Sequence, residues 1–131
     1  MSLASDLRQF TGSDTVYRHA LVPNFVYTEG VKYLAKEAEA YWLLDAIASH
    51  YFDKKSLRKI EADEAANALA IWTLTRDGEG AVLQCKADTY CPILVEQRIA
   101  YTDFPFTELS PCKFYCGWYG EKRLLMLPSE Y

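Results

Sequence analysis

Three neighbouring polar residues near the N-terminus have the clearest potential for chemistry. Tyr17, Arg18 and His19 place a phenol, a permanent cation and an imidazole side by side. Because arginine offers a fork of N–H donors, this group would suit a carboxylate or phosphoryl ligand. The alternative is structural: Arg18 would pair with a nearby acid, and His19 would satisfy backbone groups in an irregular segment.

Asp45 is the one charged residue inside an apolar helical stretch, three residues after Trp42. An unpaired buried carboxylate is costly, so a buried Asp45 would need a partner, for which we expect Arg18 or the region of the Trp42 indole. Buried Asp–Arg pairs are more often structural than catalytic. Since a perturbed pKa often marks a functional site, Asp45 is nevertheless a candidate ligand-binding residue.

The cysteines do not follow a common zinc-binding pattern. They are Cys85, Cys91, Cys112 and Cys116. Zinc knuckles usually hold two thiolates in a Cys-x2-Cys turn, whereas these pairs are separated by longer spacers. In a strand, Cys112 and Cys116 would lie about 13 Å apart at ~3.3 Å per residue, too far for one ion. We therefore expect independent thiols, no metal and no cofactor, with a four-cysteine metal site as the alternative.

Aromatic residues are the strongest compositional signal, with ten tyrosines, three tryptophans and six phenylalanines among 131 residues. Tyrosine combines an apolar ring with a polar tip, and it serves cores, interfaces and ligand clefts alike. Aromatic residues are also enriched among the hot spots of protein interfaces. We predict a protein partner or self-association through the C-terminal hairpin, at Tyr115, Trp118 and Tyr119.

The charge balance argues against a nucleic-acid partner. The chain has 18 acidic and 14 basic residues, a net charge of −4, whereas nucleic-acid modules usually present a basic face. No stretch approaches the roughly 18 apolar residues of a membrane span. The first residues also lack the charged and apolar regions of a secretion signal. We therefore expect a cytoplasmic protein without a membrane partner.

The hydrophobic period predicts the elements that would position these residues. Apolar spacing predicts a short helix over 3–10, one or two helices over 30–52, and a short helical segment within 53–67. From Leu69 the period changes to two, and Asp77-Gly78 is typical of a hairpin turn. Further strands are predicted over 81–86, 93–101, 113–116 and 123–127.

This order predicts an α+β fold in one domain over 1–131, with a helical half at about 1–66 and a sheet half at about 67–131. The N-terminal helices would pack on one face of a four- to five-stranded antiparallel meander. Phosphate-loop, dinucleotide-binding, nucleophile-elbow and zinc-protease motifs are absent. We therefore assign no catalytic residue, and binding is favoured over enzymatic activity.

Several segments carry a resemblance that covers nearly the whole chain. They are Thr-Val-Tyr-Arg-His at 15–19, Tyr-Thr-Glu-Gly-Val-Lys-Tyr-Leu-Ala at 27–35, Ala-Tyr-Trp-Leu-Leu-Asp at 40–45, Tyr-Thr-Asp-Phe-Pro at 101–105 and Leu-Pro-Ser-Glu-Tyr at 127–131. They resemble a small uncharacterised bacterial family, a domain of unknown function met in bacterial genomes, phages and plasmids. The resemblance implies a mobile-element association but no activity, substrate or catalytic residue.

The polar residues of these segments could converge on a cleft between helices and sheet, or they could form a scaffold network. The candidate ligand-binding residues are Tyr17, Arg18, His19, Tyr27, Glu29, Lys32 and Asp45. Around Arg18, His19 and Asp45 they would build a small-molecule or phosphoryl-ligand site, with or without catalysis. The sequence alone does not distinguish the cleft from the scaffold network.

Overall fold

A computed structural model describes residues 3–10, 15–107, 109 and 112–131. The helices in these ranges are α1 (Leu3–Leu7), α2 (Glu29–Glu37), α3 (Tyr41–Phe52), α4 (Lys54–Ala62) and α5 (Glu64–Ala68). The strands are β1 (Val16–Arg18), β2 (Phe25–Thr28), β3 (Ala70–Asp77), β4 (Gly80–Lys86), β5 (Ile93–Ile99), β6 (Cys112–Tyr119) and β7 (Lys122–Met126). A closing 3₁₀ turn covers Pro128–Glu130. None of the helices described is long and apolar enough to cross a bilayer.

The described strands form one mixed sheet of seven, in the order β1-β2-β7-β6-β3-β4-β5. Neighbouring strands are antiparallel except β2 and β7, which are parallel. Because β6 pairs with the edge of β3 that β4 leaves free, successive strands do not form a meander. The predicted α+β class is confirmed. The predicted four- to five-stranded antiparallel meander does not match fully: the sheet has seven strands, one neighbouring pair is parallel, and the strand order is not that of a meander.

The two strands that were not predicted as members of the sheet are short, although the sequence indicates a brief extended piece at 25–27 and an extended or irregular segment at 15–23. β1 has three residues and β2 has four, too few for a period of two to be recognised. β2 also runs directly into α2, without a glycine or proline to mark its end. The parallel pairing joins 25–27 to 123–125, and such a long-range contact leaves no local pattern. All five strands predicted after residue 69 are present.

The helical stretch over 30–52 is two helices, with a break after Glu37. Glu39 adopts a positive φ of 51°. The N–H of Ala40 donates to the carbonyl of Ala35 at 2.8 Å, and that of Glu39 donates to Lys36 at 3.3 Å. This pair of bonds is the Schellman motif, which ends a helix and usually has glycine at the left-handed position. It separates α2 from α3.

The polar segment over 53–67 forms two helices, each begun by an aspartate. Asp53 accepts from the N–H of Ser56 at 3.1 Å at the start of α4, and Asp63 accepts from Ala66 at 3.1 Å at the start of α5. These are N-caps, which satisfy free N–H groups of the first turn. The bond from the Ser56 N–H lowers the pKa of Asp53, because it favours the charged carboxylate.

The core lies between one face of the sheet and the helices, among which α3 contributes the most buried side chains. Trp72 on β3 pairs in register with Phe114 on β6, and both are completely buried. Tyr51 of α3 packs on Phe25 of β2, with ring centroids 5.7 Å apart, and accepts a 2.9 Å hydrogen bond from the indole N–H of Trp72. These contacts hold α3 across β2 and β3, and so position Asp45 over the β1–β2 edge.

A carboxylate near the end of the sequence closes the N-terminus of α2. The Thr28 hydroxyl accepts from the N–H of Val31 at 3.3 Å and donates to Oε1 of Glu130 at 2.6 Å. The other oxygen of Glu130 accepts from the N–H of Gly30 at 3.3 Å. A Cβ on Gly30 would lie only 2.7 Å from Oε1 of Glu130, so a larger residue there would force the Glu130 side chain to shift from this position.

Candidate functional site

His19 and Asp45 form a hydrogen-bonded pair between the loop after β1 and helix α3. Nε2 of His19 lies 2.7 Å from Oδ1 of Asp45. Nδ1 of His19 accepts the backbone N–H groups of Leu21 and Val22, each at 3.1 Å. An imidazole nitrogen that accepts hydrogen bonds carries no proton. We therefore assign the ring as the Nε2–H tautomer, which donates to Asp45.

The two members of this pair differ in their exposure to solvent. The His19 side chain is 6% exposed and packs edge-on against Phe25, whereas that of Asp45 is 62% exposed. Asp45 is therefore a surface carboxylate held by a buried imidazole, and not the buried charge considered from the sequence. Its partner is His19, rather than Arg18 or the Trp42 indole.

A cleft of about 260 Å³ opens beside this pair. The residues that line it, which together define the Asp45 cleft, are His19, Leu21, Val22, Asp45, Ser49 and Phe52. One wall comes from α3, where Asp45, Ser49 and Phe52 share one face at spacings of four and three. The other wall is the β1–β2 loop. Leu21 and Phe52, one from each wall, are 78% and 71% exposed.

Three tyrosines lie near one another on β1, β2 and α3, and one of them, Tyr27, interacts electrostatically with Asp45. Tyr17 and Tyr27 stack across β1 and β2 with ring centroids 5.9 Å apart, and Nζ of Lys32 lies 4.1 Å from the centroid of Tyr17. Burial raises the pKa of Tyr27, and the electrostatic influence of Tyr41, Tyr17 and Asp45 raises it further. Tyr27 therefore lies within electrostatic reach of Tyr41 and Asp45. We call Tyr17, Tyr27, Lys32 and Tyr41 the tyrosine surface.

Glu29 and Arg18 lie in different places relative to the tyrosine surface. Glu29 begins α2 and, with Tyr17 and Lys32, lines a shallow cavity of about 170 Å³. Arg18 pairs with Val26 in the sheet, and because side chains alternate along a strand, it lies on the face opposite Tyr17. The other six predicted ligand residues thus form two adjacent clusters, and the arginine that suggested an anion site lies outside both.

The geometry of the pair determines what chemistry is available there. A general base needs a lone pair within reach of the proton that it takes. Nδ1 of His19 already accepts two N–H groups, and Nε2 already donates, so the imidazole has no free nitrogen. Within the part of the chain that the structure describes, no lysine or arginine lies within ion-pair distance of Asp45. The carboxylate is therefore open to a ligand on its solvent side.

The predicted interface residues of the C-terminal hairpin lie on two faces of the sheet. On β6, Tyr115 and Tyr119 alternate with Trp118, which is on the opposite face. The guanidinium carbon of Arg123 lies 3.8 Å from the ring centroid of Trp118. The indole N–H of Trp118 donates to the carbonyl of Asn67 at 2.8 Å. Trp118 thus supports the fold on one face, while Tyr119 is half exposed on the other.

The predicted alternative of a four-cysteine metal site is wrong. Among the described residues, which include all four cysteines, no group of three or more His, Cys, Asp or Glu could hold a metal ion. Cys112 pairs with Leu74 and Cys116 with Ala70, so they lie four residues apart along β6. Burial raises the pKa of Cys85, Cys112 and Cys116 to about 12, which keeps these thiols neutral.

Two larger cavities lie away from the Asp45 cleft. One of about 410 Å³, beside the β3–β4 turn, is lined in part by Tyr101 and Asp103. The other, of about 300 Å³, is mostly apolar and includes Arg8 and Lys113. Tyr101 follows β5, the edge strand opposite β1. The segment at 101–105 is therefore remote from the polar residues of the other segments that carry the family resemblance.

Sequence reasoning did not identify several residues of the site. Ser49 and Phe52 could have been found from their helical spacing to Asp45. Leu21 and Val22 follow a histidine in an aperiodic segment, and nothing in their residue types predicts that the imidazole binds their N–H groups. Tyr41 lies on the same helix as Asp45 only because α2 ends four residues earlier, at Glu37, and α3 begins after the break at Glu39.

The chain belongs to a family of unknown function (DUF6876), and the family model matches residues 1–131. This match confirms the resemblance to an uncharacterised family. No curated protein matches the sequence, and no solved structure matches the fold. The family therefore assigns no activity to the cleft, and the function has to be argued from its geometry.

Proposed function

We propose that the chain is a cytoplasmic protein-interaction module that binds its partner through the Asp45 cleft and the adjoining tyrosine surface. The observation that carries the proposal is the pair of large apolar side chains, Leu21 and Phe52, exposed on the two walls of a cleft with a fixed carboxylate. The association with bacteria and mobile elements stays a prediction from the resemblance.

The composition of this surface matches that of protein interfaces. Burying a leucine or phenylalanine side chain contributes about 1.5–3 kcal/mol, so Leu21 and Phe52 are strong candidate anchors. Tyrosines add large contact area at low conformational cost, because few torsions have to be fixed. Since His19 holds Asp45 in place before binding, the central polar contact requires little ordering.

The state of the histidines and buried thiols favours binding over catalysis. Both nitrogens of His19 are engaged in the pair and in the loop. His50 bridges Ser56 of α4 and Gln97 of β5, with contacts of 3.1 and 2.7 Å, and stacks on Trp72. Three of the cysteines are buried, neutral thiols, so they are poor nucleophiles.

Site-specific photocrosslinking tests this proposal. The photoreactive p-benzoylphenylalanine is placed at position 41 or 52 of the full chain, expressed in the cells that carry its gene. The matched control is position 90, because Tyr90 is completely exposed and lies in neither cluster. We expect a discrete adduct from positions 41 and 52 that position 90 does not give.

The mass of the adduct identifies the kind of partner. A product of twice the 15.0 kDa of the chain indicates a second copy, and any other mass is assigned by peptide sequencing. The proposal is overturned if positions 41 and 52 give no adduct above that at position 90. Circular dichroism of the purified variants establishes that each is folded as the unmodified chain is.

A further inference from the structure

We infer that the Asp45 cleft takes the cationic side chain of a lysine or arginine from a partner protein. This inference rests on the proposed function, because it assigns the chemistry of the residue that the partner inserts. It is carried by the size of the cleft, by its apolar walls and by the carboxylate of Asp45, which binds His19 but pairs with no lysine or arginine of the described ranges.

The size of the cleft favours a single side chain. Pockets that enclose whole small-molecule ligands are typically about 300–1,000 Å³. The Asp45 cleft, at about 260 Å³, is smaller and opens to solvent between Leu21 and Phe52. A long, narrow group entering from a neighbouring protein fits such a space better than a free cofactor does.

The walls of the cleft match the two parts of a long cationic side chain. Leu21, Val22 and Phe52 provide apolar surface for a methylene stem, which lysine and arginine bury while their charged ends stay polar. An aromatic ring such as that of Phe52 can also attract a cation over its face. The carboxylate of Asp45 would then accept the charged end.

The charge of the cleft selects a cation. His19 is assigned as the neutral Nε2–H tautomer, so the His19–Asp45 pair carries the single negative charge of the carboxylate. No lysine or arginine in the described ranges forms an ion pair with it, and Lys32 lies instead over the Tyr17 ring. The whole chain is also acidic, at −4. An anionic or phosphoryl group would therefore be repelled.

NMR titration of the full chain with defined probes tests the inference. The probes are N-acetyl-lysine methylamide and N-acetyl-arginine methylamide, with N-acetyl-norleucine methylamide as the uncharged analogue of the lysine stem. We expect saturable shifts of the backbone amides of Leu21, Val22, Ser49 and Phe52 with both cationic probes in the millimolar range. The norleucine probe should bind about five-fold more weakly or not at all, because it lacks the ion pair.

Two variants separate the role of the carboxylate from the stability of the fold. Asp45→Asn keeps an oxygen that accepts the His19 Nε2–H but removes the charge, so affinity for the cationic probes should fall about five-fold. Glu61→Gln, on the exposed surface of α4, removes the same charge outside the cleft and should leave affinity unchanged. Added salt should weaken binding to the unmodified chain.

Equal binding of the norleucine probe, or unchanged affinity in Asp45→Asn, overturns the inference. Shifts at the same amides that depend only on the concentration of the chain would show that a second copy occupies the cleft, which also overturns it. Failure here is distinct from failure of the proposed function: crosslinking from positions 41 and 52 can succeed without any preference for a cation. Conversely, if the cationic probes bind but positions 41 and 52 give no crosslink, the proposed protein partner is contradicted and the cation-binding cleft is not.

Discussion

The hydroxyl of Thr28 donates a 2.6 Å hydrogen bond to Glu130, a residue 102 positions later in the chain. The same carboxylate accepts from the N–H of Gly30 at 3.3 Å and from that of Leu127 at 3.0 Å. A negative charge is also favourable at the positive N-terminus of a helix. The segments at 27–35 and 127–131, which carry part of the family resemblance, therefore contact each other and stabilise the fold.

Replacing Glu130 should therefore destabilise the chain. We expect Glu130→Ala to lower the free energy of unfolding by about 2 kcal/mol, because three donors lose a charged acceptor. Glu130→Gln should cost less, since its amide oxygen still accepts. Urea denaturation measures both, with Glu121→Ala in the exposed β6–β7 turn as the control, expected within about 0.5 kcal/mol of the unmodified chain. Equal stability of the Glu130→Ala and Glu121→Ala variants would contradict this account.

Gly30→Ala should also be destabilising, although alanine normally stabilises a helix by about 1 kcal/mol relative to glycine. The added Cβ would lie 2.7 Å from Oε1 of Glu130 and 2.8 Å from Cδ1 of Leu127. In the double variant with Glu130→Ala, part of this clash is removed. We therefore expect the combined loss to be smaller than the sum of the single losses by about 1 kcal/mol. Strict additivity in the denaturation cycle would show that the contact does not matter.

Glu39→Gly should stabilise the chain by about 1 kcal/mol. Glu39 has a φ of 51°, a left-handed conformation that costs a non-glycine residue roughly 1–2 kcal/mol. Glycine adopts it freely, although its larger unfolded-state entropy offsets part of the gain. Lys36→Gly, on the exposed side of the last turn of α2, is the matched control and should lose about 0.5–1 kcal/mol. Thermal unfolding should therefore move in opposite directions for the two variants, and a shift of the same sign would refute the helix-end assignment.

The buried thiols predict an alkaline loss of stability. Burial raises the pKa of Cys85, Cys112 and Cys116 from 9.0 to about 12. Above pH 9 these thiols ionise in the unfolded chain but stay protonated in the folded one. The folded state then binds more protons, so its stability is full below pH 9 and falls as pH rises towards 12.

Cys112→Ala removes one of the three titrating thiols. The free energy of unfolding should then fall with pH less steeply, by about 1.4 kcal/mol per pH unit, which corresponds to one proton. Urea denaturation at a series of pH values measures the slope. Leu74→Ala is the control, because Leu74 pairs with Cys112 in the sheet and carries no titratable group. It should lower stability by about 2–5 kcal/mol at every pH without changing the slope. An unchanged slope in Cys112→Ala would disprove the link to that thiol.

The two exposed aromatics of the C-terminal hairpin should respond differently to replacement by serine. Trp118→Ser removes the contact with Arg123 and the bond to Asn67, so we expect a loss of about 2 kcal/mol. Tyr119→Ser should change stability by less than about 0.5 kcal/mol. If the hairpin mediates self-association, as the sequence predicts, Tyr119→Ser should lower the mass in sedimentation equilibrium. A mass that is unchanged would argue against that interface.

Local interactions account for most of what could be predicted about the fold. The β3–β4 hairpin was recognisable from Asp77-Gly78, although Asp77 still pairs with Gly80 and the two turn residues are Gly78 and Glu79. Gly78 has a φ of 60°, and glycine at the first turn position supplies the positive φ that such a hairpin needs. The helices and β3 to β7 could be predicted because the hydrophobic pattern that indicates each of them lies within about ten residues. β1 and β2 could not be predicted in the same way, because their sheet position depends on pairing with a strand about 100 residues later.

The same limit applies to the site. His19 and Asp45 were both candidates from their residue types, but they are 26 residues apart and meet only when α3 crosses β2. Arg18 was expected beside them because it precedes His19 in the sequence. Once β1 forms, alternation along the strand places Arg18 on the other face. The choice of partner for Asp45 is therefore a property of the sheet and not of the local sequence.

The parallel pairing of β2 with β7 also predicts an order for the folding of the chain. Loop-closure entropy grows with the number of residues enclosed, so the β3–β4 and β6–β7 hairpins can form before 25–27 meet 123–125. We therefore expect the β1–β2 edge to join the sheet late and to be among the first parts to open in native-state hydrogen exchange. A partner that binds beside Tyr27 and His19 would slow exchange there, so the bound surface would be recognisable as newly protected amides in β1 and β2.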